Sequence, residues 1–217
     1  MVDLHRLSGK GTLYFIRHGK SADHEAGLIK GRRDYPLSPA GIAQAEAAGV
    51  WFSRIPLDLI LSSPLTRARE TAEVIASYLS ASAPPPEVVT VPELIEIDTG
   101  IFTGLTQEKA AAAHPEAFAA FQGQSWEGVP GAEKNDSLAR RSTRFWDHVI
   151  GLVAEGHSAI LSVLHKGIFQ WIMHAVFGFP EWMPLFEIDF CGIYRLSFDT
   201  TRGRFYLIWD MLNATVQ

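Results

Sequence analysis

The chain has 217 residues, of which 20% are charged and 47% hydrophobic, and its formal net charge is −5 at pH 7. This composition is typical of one folded domain and excludes a disordered chain, while the negative balance argues against a nucleic-acid surface spread over the molecule. The single cysteine, Cys191, excludes an intrachain disulfide, and the lack of a signal peptide or an eighteen-residue apolar run predicts a cytoplasmic protein without membrane contact.

Strand and helix signals alternate along the first half of the chain, as the βαβ units of a parallel sheet require. Apolar runs predict strands. Alanine-rich segments that follow Ser38-Pro39 and Ser62-Ser63-Pro64 predict helices, because a serine cap followed by proline favours a helix start. The predicted elements are strands at 13–16, 57–61 and 88–91 and helices at 40–52 and from Pro64 to about Leu79.

The second half begins with a segment of weak periodicity. Only short helices are predicted between residues 93 and 131, so we interpret this segment as an insertion over the edge of the sheet. The strand predicted next is apolar on both faces and therefore central. The predicted elements are helices at 106–113, 116–121, 136–155 and 168–177, a strand at 158–164, and a hairpin of strands at 188–198 and 204–209.

Arginine and histidine residues follow three of the predicted strands. The first strand ends in Arg17-His18-Gly19, the second leads to Arg67, and the fourth ends at His165. The carboxyl ends of neighbouring parallel strands meet at one edge of a sheet, which is where such folds bind ligands. Two guanidinium groups and two imidazoles can coordinate a tetrahedral oxyanion, and an imidazole can also act as a nucleophile. The pattern therefore predicts a phosphate site.

With these motifs, the chain resembles the histidine phosphatase superfamily, also called the phosphoglycerate mutase-like family, over nearly its whole length. The resemblance implies a three-layer α/β/α sandwich whose central sheet is mostly parallel, with an antiparallel edge strand and a small helical insertion over the active site. It also implies one domain spanning residues 1–217, with 93–135 as an inserted cover. The matching residues are Arg17-His18-Gly19, Gly31, Asp34, Pro36-Leu37-Ser38, Gly41-Ile42-Ala43-Gln44-Ala45, Ser62-Ser63-Pro64, Arg67-Ala68, Thr71-Ala72, Leu94-Ile95-Glu96, Gly100, Gly104 and His165.

The resemblance also implies a role for each of five residues. His18 would be the nucleophile that becomes transiently phosphorylated. Arg17, Arg67 and His165 would hold the phosphoryl oxygens, which agrees with the dependence of phosphoryl transfer on positioning and charge. Glu96 would protonate the leaving alkoxide and then deprotonate the attacking water. The Leu-x-Glu spacing selects Glu96 in preference to Glu93, which we expect to lie outside the site.

The chain departs from the family's pattern at the rim of the expected pocket. His24 stands in place of a frequent Asn, Lys20 and Lys30 in place of Glu, Gln or Thr, Thr103 in place of Glu or Gln, and Lys166 in place of Gly. Besides Arg17, Arg67 and His165, the candidate substrate-binding residues are therefore His24, Lys30 and Lys166. The lysines either favour a substrate with a second anionic group or are solvated loop side chains.

The main functional prediction is a phosphatase of the histidine acid phosphatase type, acting on a small phosphorylated metabolite without a cofactor or metal. A metal-dependent hydrolase is disfavoured because no HxxxH or similar ligand spacing occurs. The alternatives are a cofactor-dependent phosphoglycerate mutase and a phospho-ligand binding protein with little turnover. Oligomeric state is open, with a homodimer among the alternatives.

Mutase activity is expected to be weak for two reasons. Only about forty residues separate Glu96 from the helix predicted near Asp136, which predicts a modest cover and access for water. The residues His24 and Thr103 also alter positions near the substrate that the mutases of the family usually keep.

Overall fold

A computed structural model describes residues 1–22, 27–79, 86–178, 186–201 and 205–216. These residues form six strands and six α-helices. In chain order they are β1 (Lys10–Arg17), α1 (Pro39–Phe52), β2 (Leu59–Ser62), α2 (Thr66–Tyr78), β3 (Glu87–Thr90), α3 (Gln107–Ala113), α4 (Pro115–Gln124), α5 (Asn135–Ala154), β4 (Ala159–Leu164), α6 (Lys166–Phe177), β5 (Ile193–Asp199) and β6 (Tyr206–Ala214).

The strands form one sheet in the order β3-β2-β4-β1-β5-β6. The first four of these are parallel, and the hairpin of β5 and β6 is antiparallel at one side of the sheet. The predicted α/β architecture, with a mostly parallel sheet and an antiparallel edge, is confirmed. Since β4 lies between β2 and β1, the carboxyl ends of the three strands named in the sequence prediction are direct neighbours.

Successive side chains of β1 point to opposite faces of the sheet, which explains the three layers. Leu13 and Phe15 point to one face, where they pack with side chains of α5 and α6 such as Trp146. Tyr14 and Ile16 point to the other face, where they pack with side chains of α1 and α2 such as Phe52. Successive strand residues face opposite sides of a sheet, so a continuous apolar strand must be covered on both.

The segment between β3 and α5 has a small apolar cluster of its own. Phe102, Ala110, Val129 and Ala132 are buried together, with the half-buried rings of Phe118, Phe121 and Trp126 packed around them. Glycine is required at position 100, where φ is +53° and an added Cβ would lie 2.3 Å from the Pro130 carbonyl oxygen. The segment therefore folds back on itself before it reaches α5.

The predicted start of the second helix was wrong. The backbone N–H of Ser63 still donates to the Val163 carbonyl, so the sheet ladder continues past Ser62, and α2 begins only at Thr66. Its first turn is capped from outside the helix, because the Asp34 carboxylate accepts from both the backbone N–H and the hydroxyl of Thr66. The Ser63 hydroxyl oxygen accepts from the Leu65 N–H at 3.3 Å, which leaves its proton for another partner.

The predicted hairpin also began too early. Residues 189–192 form a turn, closed by a hydrogen bond from the Gly192 N–H to the Asp189 carbonyl, and Cys191 adopts a φ of +53°. The first strand of the hairpin therefore begins at Ile193, and Arg204 of the predicted second strand lies outside the described residues. No helix in the described part of the chain is long and apolar enough to cross a membrane.

Candidate active site

His18 lies at the carboxyl end of β1 and is 4% exposed. Its Nδ1 lies 2.6 Å from the Gly19 carbonyl oxygen. Because a carbonyl oxygen can only accept a hydrogen bond, Nδ1 carries the proton and Nε2 carries the lone pair. Burial, followed by the charges of Arg67 and Arg17, lowers the pKa of His18 well below its usual value. The imidazole is therefore held neutral, in the tautomer that a nucleophile at Nε2 requires.

Arg67 projects from the first turn of α2 onto His18. Its Nε donates to His18 Nε2 at 3.2 Å, and the side chain is almost fully buried. The two other guanidinium nitrogens donate to the carbonyls of Arg33 and Gly31, at 2.8 and 3.2 Å. These bonds fix the plane of the guanidinium group, so that its Nε–H faces the lone pair of His18 Nε2.

His165 follows β4 and lies beside His18, with ring centroids 4.9 Å apart. Its Nε2 is 2.7 Å from the hydroxyl oxygen of Ser63, while its Nδ1 is buried and has no hydrogen-bond partner among the described residues. Burial, then the neighbouring His18 and the charge of Arg67, lowers the pKa of His165 well below its usual value. Ser63, predicted only as a helix cap, thus orients the second histidine.

Arg17 completes the group at the end of β1. One terminal nitrogen donates to the Ile188 carbonyl at 3.0 Å, and the guanidinium carbon lies 3.8 Å from the centre of the Phe190 ring. Its Nε is buried and has no hydrogen-bond partner among the described residues. The guanidinium group therefore keeps donor capacity for an anion next to His18.

The Glu96 carboxylate sits at the N-terminus of α6, immediately after His165. Its oxygens accept hydrogen bonds from the backbone N–H groups of Ile97, Gly167 and Ile168, at 2.9 to 3.1 Å. A side chain on residue 167 would collide with this carboxylate, because an added Cβ would lie 2.5 Å from Oε1. Gly167 is thus needed for the position of Glu96, a requirement that the sequence prediction missed.

A buried ion-pair network holds the backbone around Glu96. Arg141 on α5 pairs with both oxygens of Glu133, and its remaining nitrogen donates to the carbonyls of Glu93 and Ile95. Arg32 donates to Glu133 and to the Glu96 carbonyl. Burial alone would raise the pKa of Glu133, but its bonds to Arg141 and the charges of both arginines lower it. Sequence analysis missed this network.

The five predicted catalytic residues fall into one region of the structure. Arg17, His18, Arg67 and Glu96 line a cavity of about 620 Å³, and His165 is buried against His18. Glu93 lies apart, with its carboxylate 3.4 Å from Arg144 on the surface of α5. In the described residues, no group of three or more His, Cys, Asp or Glu side chains is placed to hold a metal ion.

The candidate rim residues separate into three groups. Lys30 and Lys166 line the cavity, whereas Lys20 is not among the described lining residues. Thr103 does not line it either, but its hydroxyl is 2.7 Å from that of Thr99, which does. The expectation that Thr103 alters a position near the substrate is therefore not supported by a direct contact with the cavity. His24 lies outside the described residues.

The family model for the histidine phosphatase superfamily (branch 1) matches residues 13–210, and the chain therefore belongs to this superfamily. It is similar to 2,3-bisphosphoglycerate-dependent phosphoglycerate mutase 2 of Gloeobacter violaceus, at 29% identity over 82% of either chain. It is also similar to a metal-independent phosphoserine phosphatase of Arabidopsis thaliana, at 32% identity over 74% of this chain and 66% of that protein. The superfamily thus includes both phosphatases and mutases.

A solved structure agrees with the family assignment at the level of the fold. The alpha-ribazole phosphatase from Shigella flexneri matches with a TM-score of 0.79 at 24% sequence identity, and the match covers 95% of this chain and 98% of that one. At this identity the likeness establishes a shared architecture.

Proposed function

We propose that this protein is a phosphomonoester hydrolase that acts on a small phosphorylated metabolite through a phosphohistidine intermediate. The observation that carries the proposal is the state of His18. The imidazole is neutral, its lone pair is on Nε2, and it shares a cavity with two guanidinium groups and the carboxyl group of Glu96. A nucleophile, oxyanion donors and an acid-base group are thus present together.

In the first step, His18 Nε2 attacks the phosphorus atom and the bond to the alcohol oxygen breaks. Protonated Glu96 gives its proton to the departing alkoxide, so a neutral alcohol leaves. Arg17, Arg67 and the Nδ1 of His165 donate to the phosphoryl oxygens, whose charge is spread over all three in the transition state. Fixed donors of this kind cost no reorganisation during the reaction.

In the second step, the Glu96 carboxylate takes a proton from water while the water oxygen attacks the phosphohistidine. The phosphorus–nitrogen bond breaks, inorganic phosphate leaves, and neutral His18 is restored. The lowered pKa of His18 keeps the imidazole nucleophilic at mildly acidic pH. This supports the finer proposal, made from the sequence, of a histidine acid phosphatase type.

The same proposal treats residues 1–217 as one catalytic domain with 93–135 as its cover. Support comes from Glu96, Phe121 and Trp126, which belong to this segment and line the cavity. The small apolar cluster within the segment gives it a fixed shape of its own. A cover of this kind would place Glu96 on the leaving-group side of the phosphate.

The test is the trapping of a phosphoenzyme. The protein is mixed with p-nitrophenyl phosphate in the presence of EDTA and quenched, and we expect an acid-labile, base-stable phosphate on the chain together with phosphate release. His18→Ala should abolish both, with a loss of turnover of at least about a thousandfold. His148→Ala, on the exposed face of α5, is the matched control. Retained turnover in His18→Ala contradicts the nucleophile, and binding without any turnover by the wild type supports the binding-protein alternative.

Phosphoglycerate mutase activity is the second candidate, favoured by the 29% identity with the Gloeobacter violaceus mutase. A mutase must protect its phosphohistidine from water while the intermediate reorients. The test supplies 3-phosphoglycerate with a catalytic amount of 2,3-bisphosphoglycerate and follows 2-phosphoglycerate and free phosphate. We expect release of phosphate to be faster. Interconversion that is much faster than release would make the mutase the better assignment.

A further inference from the structure

We propose that the cavity selects phosphomonoesters whose alcohol carries a flat, uncharged ring system, in preference to small acidic metabolites. This inference rests on the proposed phosphatase function and concerns the part of the cavity that the phosphoryl group does not occupy. The volume of about 620 Å³ lies within the range of pockets that bind drug-sized ligands, about 300–1,000 Å³. A three-carbon phosphate ester fills only a small part of it.

The walls beyond the catalytic residues are largely apolar and aromatic. Leu28, Phe121, Trp126 and Phe186 all line the cavity. The rings of Phe121 and Trp126 lie 4.6 Å apart between centroids and are tilted by 44°. Aromatic rings present broad faces that bury flat ligands by stacking and apolar contact. Such walls favour a ring system and provide little to replace the hydration shell of a carboxylate.

Phe186 is held in place by its backbone. The side chain of Gln170 on α6 accepts from the N–H of Phe186 at 3.1 Å and donates to its carbonyl oxygen. The Phe186 ring packs against Phe169, Phe177 and Tyr194. This wall is therefore formed before a substrate arrives, which lowers the entropic cost of binding a ring against it.

The charges in the same part of the cavity nearly balance. Lys166 pairs with Glu187 at 2.6 Å, and both line the cavity. Arg17 and Arg67 face the phosphoryl position, so among the described lining residues the remaining ammonium group is that of Lys30, which donates to the hydroxyl of Ser21. An acidic alcohol would meet the carboxylate of Glu187 as well as the lysines. A neutral alcohol can hydrogen-bond to the Lys166–Glu187 pair without an uncompensated charge.

The experiment compares two substrates that share the same leaving oxygen. Adenosine 5′-monophosphate and ribose 5-phosphate both release a primary alkoxide, but only the first carries a planar base. We expect kcat/KM to be about tenfold or more higher for adenosine 5′-monophosphate, the scale of base stacking on an aromatic side chain. O-phosphoserine and 3-phosphoglycerate should resemble ribose 5-phosphate or be worse. Equal or higher kcat/KM for the ring-free esters overturns the inference.

Variants locate the preference in the aromatic wall. Trp126→Leu should remove most of the advantage of adenosine 5′-monophosphate over ribose 5-phosphate, whereas Trp126→Phe should keep most of it. Trp51→Phe is the matched control, because Trp51 packs against Tyr14 and Phe52 on the other face of the sheet. An unchanged preference in Trp126→Leu contradicts the assignment of this wall.

A failure of the proposed function can be told apart from a failure of this inference. If no ester releases phosphate, p-nitrophenyl phosphate included, the phosphatase proposal fails, and dissociation constants of the same two compounds are measured by tryptophan fluorescence. Tighter binding of adenosine 5′-monophosphate by about tenfold still supports a ring-selective cavity. Equal dissociation constants overturn it.

Discussion

The two ends of the cavity are built differently. At the proposed phosphoryl end, His18 and His165 follow directly after β1 and β4, Arg67 lies in the first turn of α2, and each is at most 4% exposed. At the other end, Lys166 and Glu187 have side chains that are 45% and 74% exposed, and the aromatic residues come from the cover segment and from the chain after α6. The first end is fixed by the sheet, whereas the second is carried by surface elements.

This difference indicates that one end of the cavity serves phosphoryl transfer and the other serves recognition of the alcohol. Phosphoryl transfer depends on donors held within a small fraction of an ångström, and buried side chains bonded to backbone carbonyls satisfy that need. Recognition of the alcohol tolerates change, because surface segments accept substitutions without disturbing the core. Because the relatives of this chain include both a phosphatase and a mutase, we expect the residues for phosphoryl transfer and the residues that recognise the alcohol to lie at opposite ends of the cavity.

Removal of Arg67 should damage the phosphoryl end for every substrate. Arg67→Ala deletes the cationic donor that faces His18 Nε2, so we expect kcat/KM to fall by about 10² to 10³ for aryl and alkyl esters alike. Inhibition by vanadate should weaken in parallel. Arg69→Ala, an exposed arginine on the same helix, is the control. Unchanged vanadate inhibition would place Arg67 outside the phosphate site.

Glu96 lies between the two ends of the cavity, and the effect of replacing it on the rate should depend on the leaving group. In Glu96→Gln the amide cannot protonate an alkoxide, so we expect alkyl phosphates to lose about 10² to 10⁴ in kcat. p-Nitrophenyl phosphate should lose far less, because its leaving group needs little protonation. The measurement is the ratio of the two rates in variant and wild type. Equal losses on both substrates would argue against Glu96 as the acid.

Arg141 is a positioning residue, and its replacement should change the same ratio of alkyl to aryl phosphate rates although it does not touch the substrate. Arg141→Met breaks the buried pair with Glu133 and releases the carbonyls of Glu93 and Ile95. We expect a loss of stability of about 3–5 kcal/mol in urea unfolding. We also expect a shift of the alkyl-to-aryl rate ratio in the direction of Glu96→Gln, by about tenfold.

The neighbouring arginine provides a matched control for this variant. Arg140 is 68% exposed at its side chain and is 3.9 Å from Asp136, one turn before it on α5. Arg140→Met should change the stability by less than about 1 kcal/mol and leave the rate ratio unchanged. A destabilised Arg141→Met with the wild-type ratio would mean that the network supports the fold and not the position of Glu96.

The sequence predicted the phosphoryl end better than the other end, for a physical reason. Apolar runs followed by Arg17, His18 and His165 identify buried strands with polar ends, and parallel strands bring such ends together whatever the loops do. The convergence of β1, β2 and β4 could therefore be predicted from local patterns. The aromatic wall could not, because Phe121 lies in a short helix of the cover segment, Trp126 and Phe186 lie outside the α-helices and strands, and tertiary contacts decide where the three rings pack.

Two residues, Ser63 before α2 and Arg141 within α5, show the limit of reasoning from local sequence alone. Ser63 has the pattern of a helix cap, but its hydroxyl bonds to His165 about a hundred residues away, which local propensity does not register. No role in the site was predicted for Arg141. It lies three residues after Leu138 and four before Phe145, so helical spacing places it on the buried face of α5. That signal was present in the sequence and was missed.

The smallest effect we predict is on the pH dependence of stability. Burial and the nearby arginines lower the pKa of His18 and of His165 in the folded protein, whereas in the unfolded chain histidine titrates near about 6.5. Below that pH the two histidines bind protons in the unfolded state but stay neutral in the folded state. Stability should therefore fall as the pH falls below about 6.5, by up to about 1.4 kcal/mol per pH unit for each histidine, until the folded protein also takes up the protons.

Urea unfolding at pH 7.5, 6.5 and 5.5 measures this effect. Carboxylates with lowered pKa values, such as Glu133, also weaken the fold in acid, so the comparison is with His18→Gln/His165→Gln, which keeps them and has neither imidazole. The wild type should lose more stability than the double variant between pH 6.5 and 5.5, and the difference between the two should be smaller between pH 7.5 and 6.5, where unfolded histidine is at most half protonated. If the free energies of unfolding of the wild type and the double variant run parallel over the whole pH range, His18 and His165 do not have lowered pKa values. The buried and the exposed end of the cavity would then not differ in their electrostatics.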